Sequence, residues 1–345
     1  MLTKTATPRS ILAPLFGEAI APAVKGQDLL MVGASTVGLF AHLAPARVLL
    51  IESDNRRIRS ARREWDYSSA RAEAVSWQMD CARLADWRLS QRDADTIIAR
   101  HRVIDSESLQ QLAEELEHQG RAKPFIATAS RQLLLLDLLP NRLTPALWTD
   151  ALRESFRVLA IGGSVMIAAL VADEAMTDRV LPERSIFDEE LSFPTEQGLL
   201  ASVAAAGLYG LRFEYLSAEP VDRIAGVDMR AVVLRAYKGK EGVCLDQGHA
   251  VMYPGPWSAV EDDDGHRYVR GERTAVCAKT YGLLMRAPYA GSLIGLNPPT
   301  LLPLEEALQF DCNTPALRDI AVTRGERAAN GGVPAAGACG PDGCC

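Results

Sequence analysis

Short apolar runs alternate with helical stretches along the first two thirds of the chain. Residues 29–32 and 48–51 are apolar runs, and a glycine-containing turn and a short helical stretch separate them. This succession of strand, turn, helix and strand predicts a βαβ unit. Further runs at 75–80, 124–130 and 164–172 predict three more strands.

Helices are predicted between these runs, over residues 58–74 and 84–120 and over a stretch that ends at Gly162 and Gly163. Alternating strands and helices indicate an α/β fold with a mostly parallel sheet. The last two apolar runs, 211–216 and 229–236, have only a short connection, which favours an antiparallel last strand.

The composition changes near Gly239, and this change divides the chain. We expect a lead-in helix within 1–24, an α/β domain over 25–239 and a smaller domain over 240–323. The smaller domain should contain short strands within 249–255 and 273–285, and DDDGH (262–266) should form a solvated hairpin turn. The tail, 324–345, is rich in glycine and alanine and is expected to be flexible.

Charge and composition exclude several classes of protein. The 345 residues are 48% hydrophobic and carry a net charge of −7, which is globular composition without the basic surface that nucleic acid requires. No apolar run approaches the ~18 residues of a membrane-spanning helix, and the first residues lack a signal-peptide core. We therefore expect a cytoplasmic protein. Its seven cysteines, an odd number, should be thiols rather than disulfides.

The turn MVGASTVG (31–38) is the first candidate for chemistry. A glycine-containing turn after a strand exposes backbone N–H groups and lets a cofactor approach closely. Glu52 ends the next strand, where a carboxylate can accept hydrogen bonds from both ribose hydroxyls of a nucleoside cofactor. Nicotinamide dinucleotides and S-adenosylmethionine both suit this geometry. The alternative is a tight turn beside a solvated acid.

The downstream segment ESFRVLAIGGSVMIAAL resembles a segment of class I S-adenosylmethionine-dependent methyltransferases. MVGASTVG stands where that family has its first motif, although Met31 replaces its acid and Ser35 and Val37 replace two of its glycines. In LLLLDLLPNRL, after the fourth predicted strand, an acid and an amide, Asp137 and Asn141, stand where the family lines its cleft, and helix capping is the alternative. The resemblance implies a Rossmann-like methyltransferase fold and S-adenosylmethionine as cofactor. The cofactor-binding residues it implies are Gly33, Ala34, Ser35, Gly38, Glu52, Asp80 and Cys81.

The smaller domain carries a second resemblance. RAYKGKEGVCLDQGHAVMYPG and DDDGHRYVRGERTAVCAKTYGLL look like the C-terminal region of arsenite methyltransferases, and Cys244 and Cys277 fall on its two cysteines. The resemblance implies that these two thiolates hold trivalent arsenic and are the catalytic residues. Cys339, Cys344 and Cys345 in the tail are further candidate ligands of a soft metal or metalloid. The alternative for them is a thiol-bearing tail of no fixed role.

Together these patterns predict methyl transfer from S-adenosylmethionine to a soft, thiol-bound acceptor, which is trivalent arsenic or a related thiol or selenium compound. The alternative is a methyltransferase-fold protein that has lost catalysis and acts as a metal-binding or partner subunit. A nicotinamide oxidoreductase would need a catalytic acid or base that the sequence does not offer. We expect a small-molecule or metalloid substrate and neither nucleic acid nor membrane as a partner. A homodimer stays open.

Overall fold

A computed structural model describes residues 8–36, 38–69, 76–176, 191–239, 242–314 and 316–329, with the backbone alone for 8–11, 67–69 and 76–83. The chain forms two compact units, residues 1–238 and 239–345. Within the described ranges, no helix has both the length and the apolar character needed to cross a membrane.

The first unit is an α/β structure. Its described helices are α1 (Pro8–Val24), a 3-10 helix (Leu39–His42), α2 (Asn55–Ser69), α3 (Gln91–Ile98), α4 (Ser106–Ala122), α5 (Leu139–Arg142), α6 (Pro145–Val158) and α7 (Glu196–Ala205). Its strands are β1 (Asp28–Val32), β2 (Arg47–Glu52), β3 (Ser76–Arg83), β4 (Asp86–Ser90), β5 (Arg131–Asp137), β6 (Leu159–Ala172), β7 (Leu208–Leu216), β8 (Asp222–Ile224) and β9 (Val227–Lys238).

One sheet contains all nine strands, in the order β4-β3-β2-β1-β5-β6-β9-β7, with β8 also paired to β9. Strands β3, β2, β1, β5 and β6 are parallel, and β9 runs antiparallel to both β6 and β7. This mixed sheet with an antiparallel last strand is the class I methyltransferase fold, so the predicted fold class is confirmed.

Burial explains why the central strands are apolar throughout. Residues along β1, β5 and β6 are buried on both faces of the sheet, which is typical of parallel strands covered by helices. Two hydrophobic clusters lie on the two faces, and α1 contributes Phe16 and Ile20 to one of them. The predicted lead-in helix is therefore part of the core.

One strand prediction and part of one helix prediction are wrong. The fourth parallel strand is β5, whereas the predicted segment 124–130 is a loop. The run of four leucines in β5 has the apolar continuity that a central strand requires. Strand β4 lies inside the region predicted as helix over 84–120. It pairs with β3 and buries Trp87, and α3 begins only after the N-cap Ser90.

The glycine pair also does not end a helix. Helix α6 ends at Val158, and β6 begins at Leu159 and passes through Gly162 and Gly163. The pairing register with β5 shifts between Arg131 and Leu133, which absorbs the additional residues.

The second unit is built from short elements. They are β10 (Leu245–Asp246), β11 (Ala250–Met252), β12 (Ala259–Glu261), β13 (Arg267–Val269), β14 (Thr274–Ala275), α8 (Ala278–Leu284), β15 (Ile294–Leu296), β16 (Leu308–Gln309) and α9 (Ile320–Thr323). The strands form three small sheets, β10-β16, β14-β11-β15 and β12-β13.

The short strand predicted at 249–255 is confirmed by β11, and the turn at 262–266 joins β12 to β13 as predicted. The strand predicted over 273–285 is wrong beyond its first residues, because a helix follows β14 directly. Residues 324–329 of the predicted tail are held by hydrogen bonds within the second unit, where Arg327 donates to the carboxylate of Asp319. Cys339, Cys344 and Cys345 lie outside the described residues.

Candidate functional site

The glycine-containing turn lies where parallel sheets commonly bind ligands. It follows β1, whose two neighbours are β2 and β5, so the strand order reverses at this point of the sheet. In open α/β sheets, ligands bind beyond the carboxyl ends of the strands at such a reversal. The structure therefore brings the predicted turn and Glu52, at the end of β2, to the expected edge.

Gly33 is required by the packing of this turn. Its φ is 87°, and a Cβ built on it would lie 2.6 Å from the carbonyl oxygen of Asp137 at the end of β5. Its N–H donates to the carbonyl of Ile51 at 2.9 Å. The close approach that the sequence assigns to a cofactor is here made by the chain's own backbone.

The Asp137 carboxylate accepts hydrogen bonds from Ser35 and Thr36 of the turn. The N–H groups of Ser35 and Thr36 donate to Oδ2 at 2.6 and 2.7 Å, and the Thr36 hydroxyl donates to Oδ1 at 2.6 Å. Complete burial raises the pKa of this carboxyl, against the effect of these hydrogen bonds. Asn141 instead ties α5 to β6 through hydrogen bonds with the backbone of Leu170.

Glu52 is fully buried and accepts hydrogen bonds on both oxygens. Oε2 accepts from the Ala34 N–H at 2.9 Å, and Oε1 accepts from the N–H groups of Ser53 and Asp54 at 2.7 and 3.1 Å. Arg142 from α5 pairs with both oxygens, at 2.8 and 3.1 Å. Although burial opposes ionisation, the Arg142 guanidinium and the backbone donors hold the pKa of Glu52 below its usual value.

Arg142 is the residue of this cluster that sequence reasoning missed. Its guanidinium also donates to Ser35 Oγ at 3.2 Å, and Arg57 donates to the same oxygen at 3.4 Å. Only 4% of the Arg142 side chain is exposed. Arginine is seldom buried unless it is paired, and its partner here lies 90 residues away in sequence. No local pattern could identify it.

The remaining predicted cofactor residues are placed around this cluster. The Gly38 N–H donates to the carboxylate of Glu64 at 2.7 Å. Asp80 and Cys81 lie on β3, where their backbone pairs with Ile51 and Glu52. Their side chains are outside the described part of the structure. The sheet therefore brings the backbone of these two residues beside Glu52.

This arrangement does not fit S-adenosylmethionine in the way the resemblance implies. The backbone arrangement matches, because a turn after β1 lies next to an acid after β2. The polar groups do not, because the amides of Ala34, Ser35 and Thr36 donate to carboxylates of the chain itself. Both Glu52 oxygens accept from Arg142, so a ribose would have to displace that pair.

The second unit holds a cluster of three thiols. The sulfur atoms of Cys244, Cys277 and Cys312 lie within 4.8 Å of one another, and no disulfide joins them. Cys244 and Cys277 are buried, and Cys312 is partly exposed. The structure therefore brings together the two predicted ligands and adds a third cysteine, Cys312, that the sequence analysis did not single out.

Short elements bring these thiols together. Cys244 precedes β10, which pairs antiparallel with β16, and the Phe310 N–H donates to the carbonyl of Cys244 at 2.9 Å. This pairing carries the chain on to Cys312. Cys277 is the N-cap of α8, and its sulfur accepts from the Thr280 N–H at 3.4 Å. Cys277 therefore lies at the start of a helix and not on a strand.

Buried polar contacts fix the loop after Cys244. Asp246 forms a bidentate ion pair with Arg318 at 2.7 and 3.0 Å, and Arg318 also donates to the carbonyl of His249. The His249 ring stacks on Tyr281 with centroids 4.1 Å apart. Burial lowers the pKa of His249, so its imidazole is neutral at physiological pH. These contacts hold the thiols on a preorganised scaffold.

The donor set determines which ions this cluster can hold. Among the residues that the structure describes, the cluster consists of three sulfur atoms and no carboxylate, which favours a soft, thiophilic ion over magnesium or calcium. Three ligands also match the coordination of trivalent arsenic, whose fourth position is a lone pair. A structural zinc site would need a fourth ligand.

Comparison with protein families gives a match within the second unit. A protein-family model described as "Domain of unknown function (DUF8838)" matches residues 240–328, which is most of the second unit. The chain has no match among curated proteins.

Several solved structures have a similar fold. One is CrArsM, an arsenic(III) S-adenosylmethionine methyltransferase from Chlamydomonas reinhardtii, at 17% identity and a TM-score of 0.41, covering 84% of this chain and 90% of that one. Another is a SAM-dependent methyltransferase from Methanosarcina mazei, at 11% identity and a TM-score of 0.39, covering 63% and 94%. The cyclase SpnF is similar at 13% identity and a TM-score of 0.38, covering 67% and 80%. At these values we take no residue role or substrate from them.

Proposed function

We propose that this protein binds trivalent arsenic, or a similarly soft acceptor, through Cys244, Cys277 and Cys312, and that the bound atom receives a methyl group from S-adenosylmethionine. The observation that carries the proposal is the cluster of three sulfur atoms within 4.8 Å. The methyltransferase fold of the first unit supports the second part. S-adenosylmethionine would supply the methyl group: the arsenic lone pair would form the bond to the methyl carbon, the bond from that carbon to the sulfonium sulfur would break, and S-adenosylhomocysteine would leave. The contacts of Glu52 make cofactor binding the first step to test.

The thiols would exchange with the oxygen ligands of arsenous acid. Each arsenic–sulfur bond forms as a thiol proton leaves with one arsenic hydroxide as water, so three thiols release three waters. Arsenic keeps its oxidation state and its lone pair. Burial of two of the thiols shields these bonds from competing water and thiols.

Two arsenicals distinguish a three-thiol site from a two-thiol site. Arsenite can take three thiolates, whereas phenylarsine oxide, with one position blocked by carbon, takes two. We expect Cys244→Ser, Cys277→Ser and Cys312→Ser each to weaken arsenite binding by about tenfold or more, because even the loss of an outer-shell partner of a ligand costs about 10–100-fold in metal affinity. Each variant should still bind phenylarsine oxide through its remaining pair, and double variants should bind neither. Calorimetry measures both affinities.

Ala275→Ser is the matched control, because it adds a hydroxyl to a residue near Cys277 without removing a sulfur. Its arsenite affinity should equal that of the unmodified protein. If single cysteine variants lower the melting temperature but keep full arsenite affinity, the three thiols are core residues and the proposal is wrong.

A second candidate function is metalloid binding without catalysis by a methyltransferase-fold protein. It is favoured by the hydrogen bonds that satisfy the turn amides and Glu52 within the chain. Transfer of labelled methyl from S-adenosylmethionine to arsenite separates the two candidates. Labelled product supports methyl transfer, whereas arsenite binding without product supports the second candidate. Calorimetry with NAD in parallel tests the oxidoreductase alternative.

A further inference from the structure

The ion pair between Glu52 and Arg142 occupies the acceptor that a ribose would use. The guanidinium donates to both carboxylate oxygens, at 2.8 and 3.1 Å, in the bidentate geometry that makes such pairs strong. Glu52 is fully buried, and the Arg142 side chain is 4% exposed. A ribose has two hydroxyl donors and would need the same two oxygens.

We propose that Arg142 is a specificity-determining latch: its pairing with Glu52 and the binding of a nucleoside ribose at Glu52 exclude each other. This inference rests on the proposed use of S-adenosylmethionine, and it names the residue that controls access to that cofactor. In the paired state the acceptor is closed. In the open state the ribose hydroxyls replace the guanidinium donors.

The position of Arg142 allows the exchange. It is the last residue of α5, a helix of only four residues, and the next residue, Leu143, is extended. Withdrawal of the guanidinium would therefore require a change of the Arg142 rotamer next to an extended segment, and not the movement of a strand residue. The Ala34, Ser53 and Asp54 amides still donate to Glu52 after Arg142 leaves, so the carboxylate stays solvated by the backbone.

Exclusive pairing lowers the apparent affinity for a nucleoside. When the competent state is a minor fraction of the population, the apparent dissociation constant rises in inverse proportion to that fraction. Removal of the guanidinium should lower the apparent dissociation constant by the same factor. The latch therefore predicts a gain in affinity from a substitution that deletes contacts, whereas a purely structural role for Arg142 predicts a loss or no change.

The experiment titrates S-adenosylhomocysteine into the full chain by calorimetry. We expect Arg142→Ala to bind about tenfold more tightly than the unmodified protein or better, and Arg142→Lys, which keeps a charge but loses bidentate geometry, to lie between them. Arg153→Ala is the control, because Arg153 is an exposed arginine on α6 paired only with Asp150 among the contacts described. Its affinity should be unchanged.

Equal or weaker affinity of a folded Arg142→Ala overturns the latch, and so does the absence of binding in every variant. If Arg142→Ala does not fold, Arg142→Lys decides the matter by the same comparison. The outcome is independent of the thiols. Tighter binding by Arg142→Ala, with no methylation of arsenite by either this variant or the unmodified chain at saturating S-adenosylmethionine, would support the latch and contradict the proposed methyl transfer.

Discussion

Several residues of the first unit contact other residues of the chain, whereas the sequence motif predicts that they contact a nucleoside. Gly33, Ser35 and Glu52 stand in the pattern of a nucleoside site. In the structure, Gly33 lies against the Asp137 carbonyl, Ser35 donates to the Asp137 carboxylate, and Glu52 pairs with Arg142. A buried carboxylate requires partners, and the chain supplies them itself. The stability of the turn and its ability to bind a ligand therefore depend on the same groups.

Gly33→Ala should destabilise the protein more than Gly226→Ala does. Both glycines have φ of 87°, so both substitutions incur the cost of a left-handed alanine, about 1–2 kcal/mol. At Gly226 nothing lies within 4 Å of the new Cβ, whereas at Gly33 it meets the Asp137 carbonyl. Overpacking should add about 2 kcal/mol there. Urea unfolding measures both, and equal losses would contradict the close approach.

Glu52→Gln should lower the free energy of unfolding by about 3 kcal/mol at pH 7, because Arg142 is left buried without its charged partner. The folded pKa of Glu52 lies below its usual 4.5, so its contribution is present above that pH and is lost as the pH falls through the folded pKa. The difference between the two proteins should therefore shrink below about pH 4.5.

Urea unfolding at a series of pH values checks this pH dependence. Asp137 has a raised pKa but titrates in both proteins, so its effect largely cancels in the difference. Glu115→Gln, at an exposed position of α4, is the control and should show no comparable difference. A difference that does not change between pH 7 and acid would show that the charge of Glu52 is not what stabilises the turn.

At the scale of elements, short pieces of secondary structure position the thiols. Strands β10 and β16 have two residues each, and α8 has seven. Such elements have little intrinsic stability, so packing and buried contacts such as the Asp246–Arg318 pair must fix them. Small changes in the pairing of β10 with β16 should therefore alter the distances between the three sulfur atoms.

Phe310→Pro removes the N–H that donates to the Cys244 carbonyl, and with it the contact that follows the β10–β16 pairing. We expect arsenite affinity to fall to that of Cys312→Ser, while phenylarsine oxide binding by Cys244 and Cys277 is kept. Phe310→Ala keeps the N–H and should bind arsenite more tightly than Phe310→Pro. Equal arsenite affinity of the two variants would contradict a role for this hydrogen bond.

At the scale of the whole molecule, the two candidate sites belong to different units. The turn and Glu52 lie in residues 1–238, and the three thiols lie in residues 239–345. The family model covers the thiol-bearing segment alone. Binding of a nucleoside and binding of an arsenical can therefore be measured separately, and each has its own substitutions and controls.

Deletion of residues 336–345 should leave the fold and S-adenosylhomocysteine binding unchanged, because the segment is rich in glycine and alanine and offers little apolar surface to bury. It should slow arsenite capture at low arsenite and matter little at saturation, since Cys339, Cys344 and Cys345 raise the local thiol concentration to about millimolar. Stopped-flow capture kinetics check this. An unchanged capture rate at low arsenite would show that the tail thiols do not deliver arsenite to the cluster of three thiols. Unfolding of the truncated protein would contradict the predicted flexibility of the tail.

Features that depend on local pattern could be predicted from the amino-acid sequence. Apolar runs placed β1, β2 and the buried part of β6, and the short connection between the last two runs indicated their antiparallel pairing. The residues that flank Cys244 and Cys277 form a recognisable pattern, so these two cysteines could be predicted to act as a pair. Boundaries were less accurate where a strand such as β4 is polar and becomes a strand only by pairing with β3.

The tertiary structure alone decided which groups meet. Arg142 reaches Glu52 across 90 residues of sequence, and Cys312 joins Cys244 through the pairing of two distant strands. Neither contact could be predicted from hydrophobic periodicity. This periodicity indicates which residues are buried, and it does not indicate which residue pairs with a buried charge or thiol. The sequence therefore predicted a nucleoside acceptor and a pair of thiols, and the fold placed an arginine on the acceptor and a third sulfur beside the pair.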